Sequence, residues 1–228
     1  MTPVTVKQIV MLAAADRARR EDFQQELLRH AKALDGSGLK RLVVNLVELP
    51  PDDLPYRPTG ELAKADELPA YDVIIELVGD DAANIAEALV GSAKVSGAHS
   101  FAADERIEKD EQPFTVGERS PGIKYMGRLM FHADLPDSAV MRSWNLHVGL
   151  ALRVHAGASK YVRNFVTARH GENVPPTRAV TELHFRSHQD MIEKFFDGEH
   201  GKQEVLHDLA HFVAEGHRFY CSEYVLKR

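Results

Sequence analysis

The residue best suited to chemistry in this sequence is His147, on an apolar helical stripe. The stripe has the i, i+4, i+7, i+11 spacing that puts side chains on one helical face, and its members are Val140, Trp144, His147 and Ala151. A buried imidazole needs a hydrogen-bond partner or a cavity. Because its ordinary pKa is about 6.5, it suits general acid or base catalysis near neutral pH. The alternative is a core histidine bonded to a strand or a carboxylate.

Two further residues could assist a proton transfer. Asp208 lies within a helical turn of Val205 and Phe212 and so borders an apolar face, where desolvation would raise the pKa of its carboxyl group. It could orient a histidine or act as a base, or it could brace a neighbouring loop. Tyr220, on the last predicted strand, could line a small-molecule pocket. We therefore take His147, Asp208 and Tyr220 as candidate catalytic residues.

Four residues are candidates for substrate binding. Side chains alternate along a strand, so Tyr161 and Asn164 lie on opposite faces of the strand predicted over 160–168. Asn164 stands among valines and could anchor a carbonyl or phenol oxygen, although the equivalent Asn45 favours a structural role. A polar group on a neighbouring strand, His184, could also line a pocket. The binding candidates are Trp144, which could equally fill core space, Tyr161, Asn164 and His184.

The histidines raise the question of a metal site, since ten of the twelve follow position 130. His207 and His211 are spaced i, i+4 and would lie on one side of a helix. However, Asp208 stands where His-Glu-x-x-His has its glutamate, and no third ligand can be named. Glycine-rich phosphate loops and a nucleophile elbow are also missing. We therefore expect neither a metal nor another cofactor.

Composition narrows the class of protein. The 228 residues are 44% hydrophobic and 27% charged, which is typical of a soluble globular protein. The net charge is -6 with scattered basic residues, so we expect no nucleic-acid partner. The single Cys221 excludes an internal disulfide, and no apolar run approaches the roughly 20 residues that span a bilayer. We expect a cytoplasmic protein with no membrane segment.

Two halves of the chain repeat the order strand, helix, strand, strand, helix, strand. Apolar periodicity predicts strands over 6–14, 42–49, 71–78, 98–107, 123–132, 160–168, 179–185 and 218–226. It predicts helices over 19–34, 80–93, 136–155, 190–196 and 203–215. Gly36 and Gly38 are expected to end the first helix, and the proline-rich stretch 50–69 is expected to be a surface loop. The linker over 110–122 divides the chain into domains 1–112 and 120–228.

This element order predicts the fold class. A β-α-β-β-α-β unit forms a four-stranded antiparallel sheet with helices on one face and leaves an apolar face that needs a cover. Two such units can cover each other and reduce their exposed edges. We therefore predict an α+β protein in which two ferredoxin-like domains pack sheet to sheet as an intramolecular dimeric α+β barrel.

The halves also match in detail. Val-x-Asn-x-Val occurs at 43–47 and again at 162–166, and Glu-Leu occurs at 76–77 and at 182–183. The first helix carries its own quartet at the same spacing, namely Phe23, Leu27, His30 and Leu34. We therefore expect His30 to lie on the same face of its helix as His147, with a structural role.

The second half, over 123–228, resembles the EthD family of the dimeric α+β barrel superfamily. Four motifs carry the resemblance: Trp144-x-x-His147, Tyr161-Val162-x-Asn164, Glu182-Leu183-His184-Phe185 and Asp208-x-x-x-Phe212. The first half is similar to a degenerate copy, with Leu27 in place of the tryptophan and no Asp-x-x-x-Phe after 76–77. If one half is active, we expect it to be the second.

The resemblance implies small-molecule chemistry, because its superfamily includes cofactor-free cyclases, decarboxylases, isomerases and monooxygenases. The leading hypothesis is a cofactor-independent lyase, isomerase or cyclase that acts by acid and base catalysis on a small aromatic or polyketide-like molecule. An alternative is a non-catalytic protein that binds a small hydrophobic ligand or acts in a stress response. A third is haem binding or degradation. An open cavity at His147 would favour the enzyme, and a filled core the binding protein. Two chains could pair further as a homodimer.

Overall fold

A computed structural model describes residues 5–34, 38–50, 69–92 and 95–228. The strands in these ranges are β1 (Thr5–Ala14), β2 (Leu39–Glu48), β3 (Val73–Gly79), β4 (Val95–Asp110), β5 (Ile123–Phe131), β6 (Ala158–His170), β7 (Ala179–Phe185) and β8 (Val213–Lys227). The helices are α1 (Arg20–Ala33), α2 (Ala82–Ser92), α3 (Asp137–Val154), α4 (His188–Lys194) and α5 (Glu199–Ala210), and a short 3₁₀ turn precedes α1.

The strands close into one antiparallel barrel in the order β1-β3-β2-β8-β5-β7-β6-β4. The first half contributes its strands in the order β4-β1-β3-β2, and the second in the order β8-β5-β7-β6. The halves join where β2 pairs with β8 and β4 pairs with β6, with Asn45 opposite Glu223 and Asn164 opposite Glu105. The α+β class and the antiparallel barrel are confirmed. Because both junctions are hydrogen-bonded, each half covers the edges of the other.

The helices pack on the outside of the barrel. In the first half, α1 and α2 cover alternate residues of β1, β2 and β3 and enclose an aliphatic core that includes Val10, Leu27, Val44 and Leu89. The residues between these alternate positions point into the barrel, where strands from both halves form a separate cluster that includes Ile9, Ile74, Phe101, Met126 and Phe219. Among the described residues, no helix combines the length and apolar character needed to cross a bilayer.

Part of the barrel interior holds charged side chains in place of apolar ones. Lys7 Nζ lies 2.6 Å from Glu76 Oε2 and 2.5 Å from Glu182 Oε1. Lys124 Nζ contacts the same two carboxylates and lies 2.9 Å from Glu182 Oε2. Burial acts to lower the pKa of Lys7, but the carboxylates, above all Glu182, raise it above its ordinary value. We call these four residues the ion-pair ring, in which each charge from one half is paired with a charge from the other.

The surroundings of the ion-pair ring repeat from one half to the other. Asn45 Nδ2 donates to a backbone carbonyl of β3 at 3.0 Å and to Glu76 Oε1 at 2.8 Å. Asn164 Nδ2 donates to a backbone carbonyl of β7 at 3.0 Å and to Glu182 Oε1 at 2.8 Å. The residues in matching positions are Lys7 and Lys124, Asn45 and Asn164, Glu76 and Glu182, and Glu105 and Glu223. Each asparagine therefore orients one carboxylate of the ion-pair ring.

Asn164 and His184 lie inside the barrel, which corrects the prediction that both line a substrate pocket. His184 is completely buried, and its Nε2 lies 3.5 Å from Glu223 Oε2. Burial lowers the pKa of His184 to about 4, so the imidazole is neutral near pH 7. Alternation along a strand identifies two faces, but it does not tell which of them the helices cover.

Several predicted boundaries differ from the structure. The last helix ends at Ala210 instead of 215, since β8 begins at Val213 and pairs there with Phe131 at the end of β5. The predicted helical stripe of the first half is wrong for His30, which is exposed, because α1 buries Gln24, Leu27, Leu28 and Ala31 instead. Gly36 and nearly all of the predicted loop over 50–69 lie outside the described residues.

We expect that breaking the ion-pair ring destabilises the fold strongly. Lys7→Met should lower the free energy of unfolding by about 3–5 kcal/mol, because it leaves buried carboxylates without their partner. Lys124→Met should cost a similar amount, since its surroundings are equivalent. Arg19→Met is the control, because Arg19 and Asp22 form an exposed pair, worth about 1 kcal/mol or less. Urea denaturation followed by circular dichroism measures all three, and a cost below about 1 kcal/mol for both lysines would contradict the expectation.

Candidate active site

The side chain of His147 is held between α3 and α5. Helix α3 buries Val140, Trp144, His147, Ala151 and Val154, which confirms the predicted stripe of the second half. His147 is 5% exposed, and its Nδ1 lies 2.6 Å from Oδ2 of Asp208 on α5. The side chain of Asp208 is 40% exposed, so its carboxylate keeps contact with water while its partner is buried.

The hydrogen bond to Asp208 fixes the proton on His147. A carboxylate only accepts hydrogen bonds, so Nδ1 must carry the proton and Nε2 of the neutral ring keeps its lone pair. Burial lowers the pKa of His147 and Asp208 opposes the shift, with the net pKa below the ordinary value. No residue within the described ranges hydrogen-bonds Nε2. The ring is therefore neutral near pH 7 and can accept a proton at Nε2.

His147 lines a small cavity of about 70 Å³ that is partly open to solvent. Strands β5, β6, β7 and β8 form one side, and α3, α5 and the segment between α4 and α5 form the other. Most of the lining is apolar or aromatic, contributed by Leu129, Trp144, Leu183, Phe195, Val205 and Leu209. Polar groups are few, as in sites that bind small molecules. The location between the sheet and the helices of the second half is the one expected from the sequence.

Trp144 and Tyr161 form an aromatic part of the cavity wall. Trp144 is almost fully buried, and its ring packs edge to face on Phe131 at a centroid distance of 5.8 Å. The guanidinium carbon of Arg163 lies 5.0 Å from the Trp144 ring centroid, within cation–π range. Burial raises the pKa of Tyr161, so its phenol stays protonated. These contacts hold a flat apolar surface beside His147.

The structure brings together four of the predicted site residues. Trp144, His147 and Tyr161 line the cavity, and Asp208 joins them through its hydrogen bond to His147. Tyr220 does not line the cavity: it is buried beside Tyr125 at a ring-centroid distance of 5.5 Å. Tyr125 on the neighbouring strand takes that place in the wall. Asn164 and His184 lie on the far side of the sheet, inside the barrel.

Three polar residues of the cavity were missed from the sequence, namely His155, Thr181 and Arg218. His155 Nδ1 lies 2.5 Å from the carbonyl oxygen of Phe195 and donates to it, and burial lowers the pKa of His155 to about 4. Its position eight residues after His147, about two helical turns, was a signal that could have found it. Arg218 and Thr181 lie on the face of their strands that the helices cover. Strand alternation would have predicted both as cavity residues if the sequence had shown which face that is.

Two exposed histidines, one in the last turn of α5 and one immediately after it, form no metal centre in the described part of the chain. His207 and His211 lie with ring centroids 4.8 Å apart, and His211 Nδ1 is bonded to the backbone carbonyl of His207. Among the described residues, no group of three or more histidine, cysteine, aspartate or glutamate side chains is placed to hold a metal ion.

We expect Asp208→Asn to lower the pKa of His147 further. The carboxylate of Asp208 raises that pKa against the effect of burial, so a neutral amide removes the opposing contribution. A pH titration of the imidazole C–H resonances by NMR measures the shift. Asp134→Asn, at an exposed position before α3, should leave the titration unchanged. An unchanged or raised pKa of His147 in Asp208→Asn would contradict the proposed coupling.

No family model and no curated protein sequence matches this chain. Among solved structures, an anthrone oxidase-like protein is 8% identical to this chain, with a TM-score of 0.60, and the match covers 100% of this chain and 95% of that one. A provisionally named monooxygenase from Fusobacterium nucleatum is 9% identical, with a TM-score of 0.56, and the match covers 100% of this chain and 94% of that one. Another from Lactobacillus acidophilus is 8% identical, with a TM-score of 0.52, and the match covers 99% of this chain and 98% of that one. At these identities the likeness shows the fold alone, an α+β protein built on a closed antiparallel barrel.

Proposed function

We propose that this chain is an enzyme that abstracts a proton from a small aromatic or polyketide-like molecule, with His147 as the general base. The observation that carries the proposal is the geometry of His147, which lines the cavity and whose Nδ1 is hydrogen-bonded to Asp208, while Nε2 has no hydrogen-bond partner among the described residues. Asp208 orients the ring and stabilises the imidazolium that forms when Nε2 takes a proton.

The cavity supports an enzyme over a passive binding protein. A protein in which His147 only fills the core would close the space around it, whereas a small cavity, partly open to solvent, lies there. The flat wall formed by Trp144 and Tyr161 suits an aromatic ring, and the few polar groups can select its orientation. A base held close to a bound carbon acid accelerates proton removal through both proximity and acid–base catalysis.

Removal of the proton leaves a carbanion, and the next reaction of that carbanion determines the class of enzyme. If it is protonated at another carbon, the enzyme is an isomerase; if it attacks a carbonyl or expels a group, the enzyme is a cyclase or lyase. The side chains of the cavity supply the base and the shaped surface for all three. A second candidate is reaction of the carbanion with dioxygen, favoured by the names of the similar structures, an anthrone oxidase-like protein and provisionally named monooxygenases.

We further propose that the chain is a tandem fusion of two ferredoxin-like units, of which only the second keeps a site. Matching lysines, asparagines and glutamates inside the barrel support a duplication. In the second half, the EthD-like residues Trp144, His147, Tyr161 and Asp208 meet at the cavity. In the first half, aliphatic side chains pack between α1 and the sheet and His30 is exposed, and a second cavity lies between α2 and strands β1 and β4.

Haem binding is a separate hypothesis that the same residues can test. His147 would be the residue that holds the haem iron, since Asp208 is hydrogen-bonded to its Nδ1, as is common for metal-ligating histidines. Under the proposed base role, we expect titration with haemin to give no Soret shift that depends on His147. A Soret shift present in the native chain and lost in His147→Gln would assign the histidine to haem instead.

We expect His147→Gln to slow proton abstraction by about 100-fold or more, the usual contribution of a general base. Anthrone and 2-tetralone are suitable probes because both have acidic C–H bonds and fit an aromatic cavity. Deuterium exchange in D₂O, followed by NMR without oxygen, measures the step, and oxygen uptake in air distinguishes the oxidase candidate. The exchange rate should rise with pH through the lowered pKa of His147, because only the neutral ring accepts a proton.

The matched control is His207→Gln, which changes an exposed histidine on α5 and should leave exchange unchanged. Thermal unfolding of both variants separates loss of the base from loss of the fold. Exchange at the native rate in a folded His147→Gln protein would overturn the proposed function.

A further inference from the structure

The guanidinium of Arg218 lies in the wall of the His147 cavity without a hydrogen-bond acceptor. Its Nε and Nη1 are both buried, and neither has a partner. Within the described residues Arg218 also forms no ion pair, and its guanidinium carbon lies 5.8 Å from the centroid of the Tyr125 ring. Arg128 and Arg163 also have an unpaired nitrogen, but each bonds elsewhere through its other nitrogens.

Two glycines make the space in which this guanidinium lies. Gly216 precedes Arg218 by two residues on β8, so both face the same side of the sheet, and Gly127 is the β5 residue directly opposite Arg218. A Cβ on Gly216 would come within 2.3 Å of Arg218 Nη1, and one on Gly127 within 3.2 Å. The guanidinium therefore lies over bare backbone on the cavity side of the sheet, where larger side chains would displace it.

An unpaired guanidinium in this position is costly, since it keeps its charge and loses part of its hydration. Contact with the face of an aromatic ring offsets only a small part of the lost hydration free energy. A carboxylate or phenolate would offset more of this lost free energy, because a negatively charged oxygen group accepts strong N–H hydrogen bonds from the guanidinium, two in parallel for a carboxylate. The lining of the cavity offers no acidic side chain for this purpose, so the complementary charge has to come from a ligand.

We infer that Arg218 binds a negatively charged oxygen group of the substrate, and that the substrate is therefore an aromatic carboxylate or phenolate. This inference rests on the proposed function, whose carbon acid must lie near Nε2 of His147. The Trp144 and Tyr161 wall takes the ring, and Arg218 takes the anionic oxygen. The three contacts fix a planar substrate in one orientation relative to the base. Arg218 is thus a binding residue that selects anions.

The test compares 2-naphthoate with 2-naphthamide, which have the same rings and differ in charge. Each displaces the neutral fluorescent probe N-phenyl-1-naphthylamine, and quenching of the single tryptophan, Trp144, reports occupancy beside the wall. The native chain should bind naphthoate about tenfold or more tightly than naphthamide, as expected for a charge-assisted bidentate contact. Arg218→Gln should remove this preference and leave the affinity for naphthamide unchanged.

The matched control is Arg142→Gln, which removes an exposed arginine from α3 and should keep the preference for naphthoate. Equal affinities for the two compounds in the native chain would overturn the inference even if Arg218→Gln failed to fold. An equal loss for both compounds in Arg218→Gln would overturn it as well, since that result indicates general damage to the cavity.

The two proposals fail in different ways. His147→Gln should keep the preference for naphthoate over naphthamide, whatever it does to both affinities, because the base is not part of the anion contact. If deuterium exchange depends on His147 but the chain shows no preference for naphthoate, only the role of Arg218 is contradicted. If the chain prefers naphthoate but no deuterium exchange depends on His147, only the proposed reaction is contradicted.

Discussion

The ion-pair ring inside the barrel is the constraint on which the rest of this structure depends. Lys7 and Lys124 are completely buried and would not stay charged alone, so each requires carboxylates supplied by both halves. Glu76 and Glu182 are in turn oriented by an asparagine on the adjacent strand. Moving either half by one residue along its neighbour would turn these charges toward the other face of the sheet. The ring therefore favours one register at both junctions of the barrel.

With the interior committed to holding the halves together, the outer faces are free to differ. In the first half, aliphatic side chains such as Leu28 and Leu46 pack between α1 and the sheet. In the second half the same space contains aromatic rings and histidines that do not fill it, and the cavity remains. The apolar burial that stabilises the first half is thus partly given up in the second, as is common where a fold carries a site.

The cavity combines two groups with opposite roles. His147 is kept neutral by burial and aligned by Asp208, so it can take a proton from a bound molecule. Arg218 carries a guanidinium whose Nε and Nη1 have no hydrogen-bond partner among the described residues. A substrate with an acidic C–H bond and an anionic oxygen would satisfy both, because the cation also stabilises the negative charge left when the proton departs. The apolar wall strengthens each interaction by excluding water.

The sequence by itself determined the order of strands and helices, the repeat of that order and the buried stripe of α3 that contains His147. These features depend on local periodicity, which a single chain displays directly. Only the tertiary structure decided which face of each strand the helices cover. That choice put Asn164 and His184 inside the barrel, Arg218 in the cavity and Lys7 beside Lys124. Strand alternation could not predict that choice, because both faces of these strands are buried and carry similar apolar residues. The charged partners in the ion-pair ring also lie far apart along the chain, from 48 residues for Lys124 and Glu76 to 175 residues for Lys7 and Glu182.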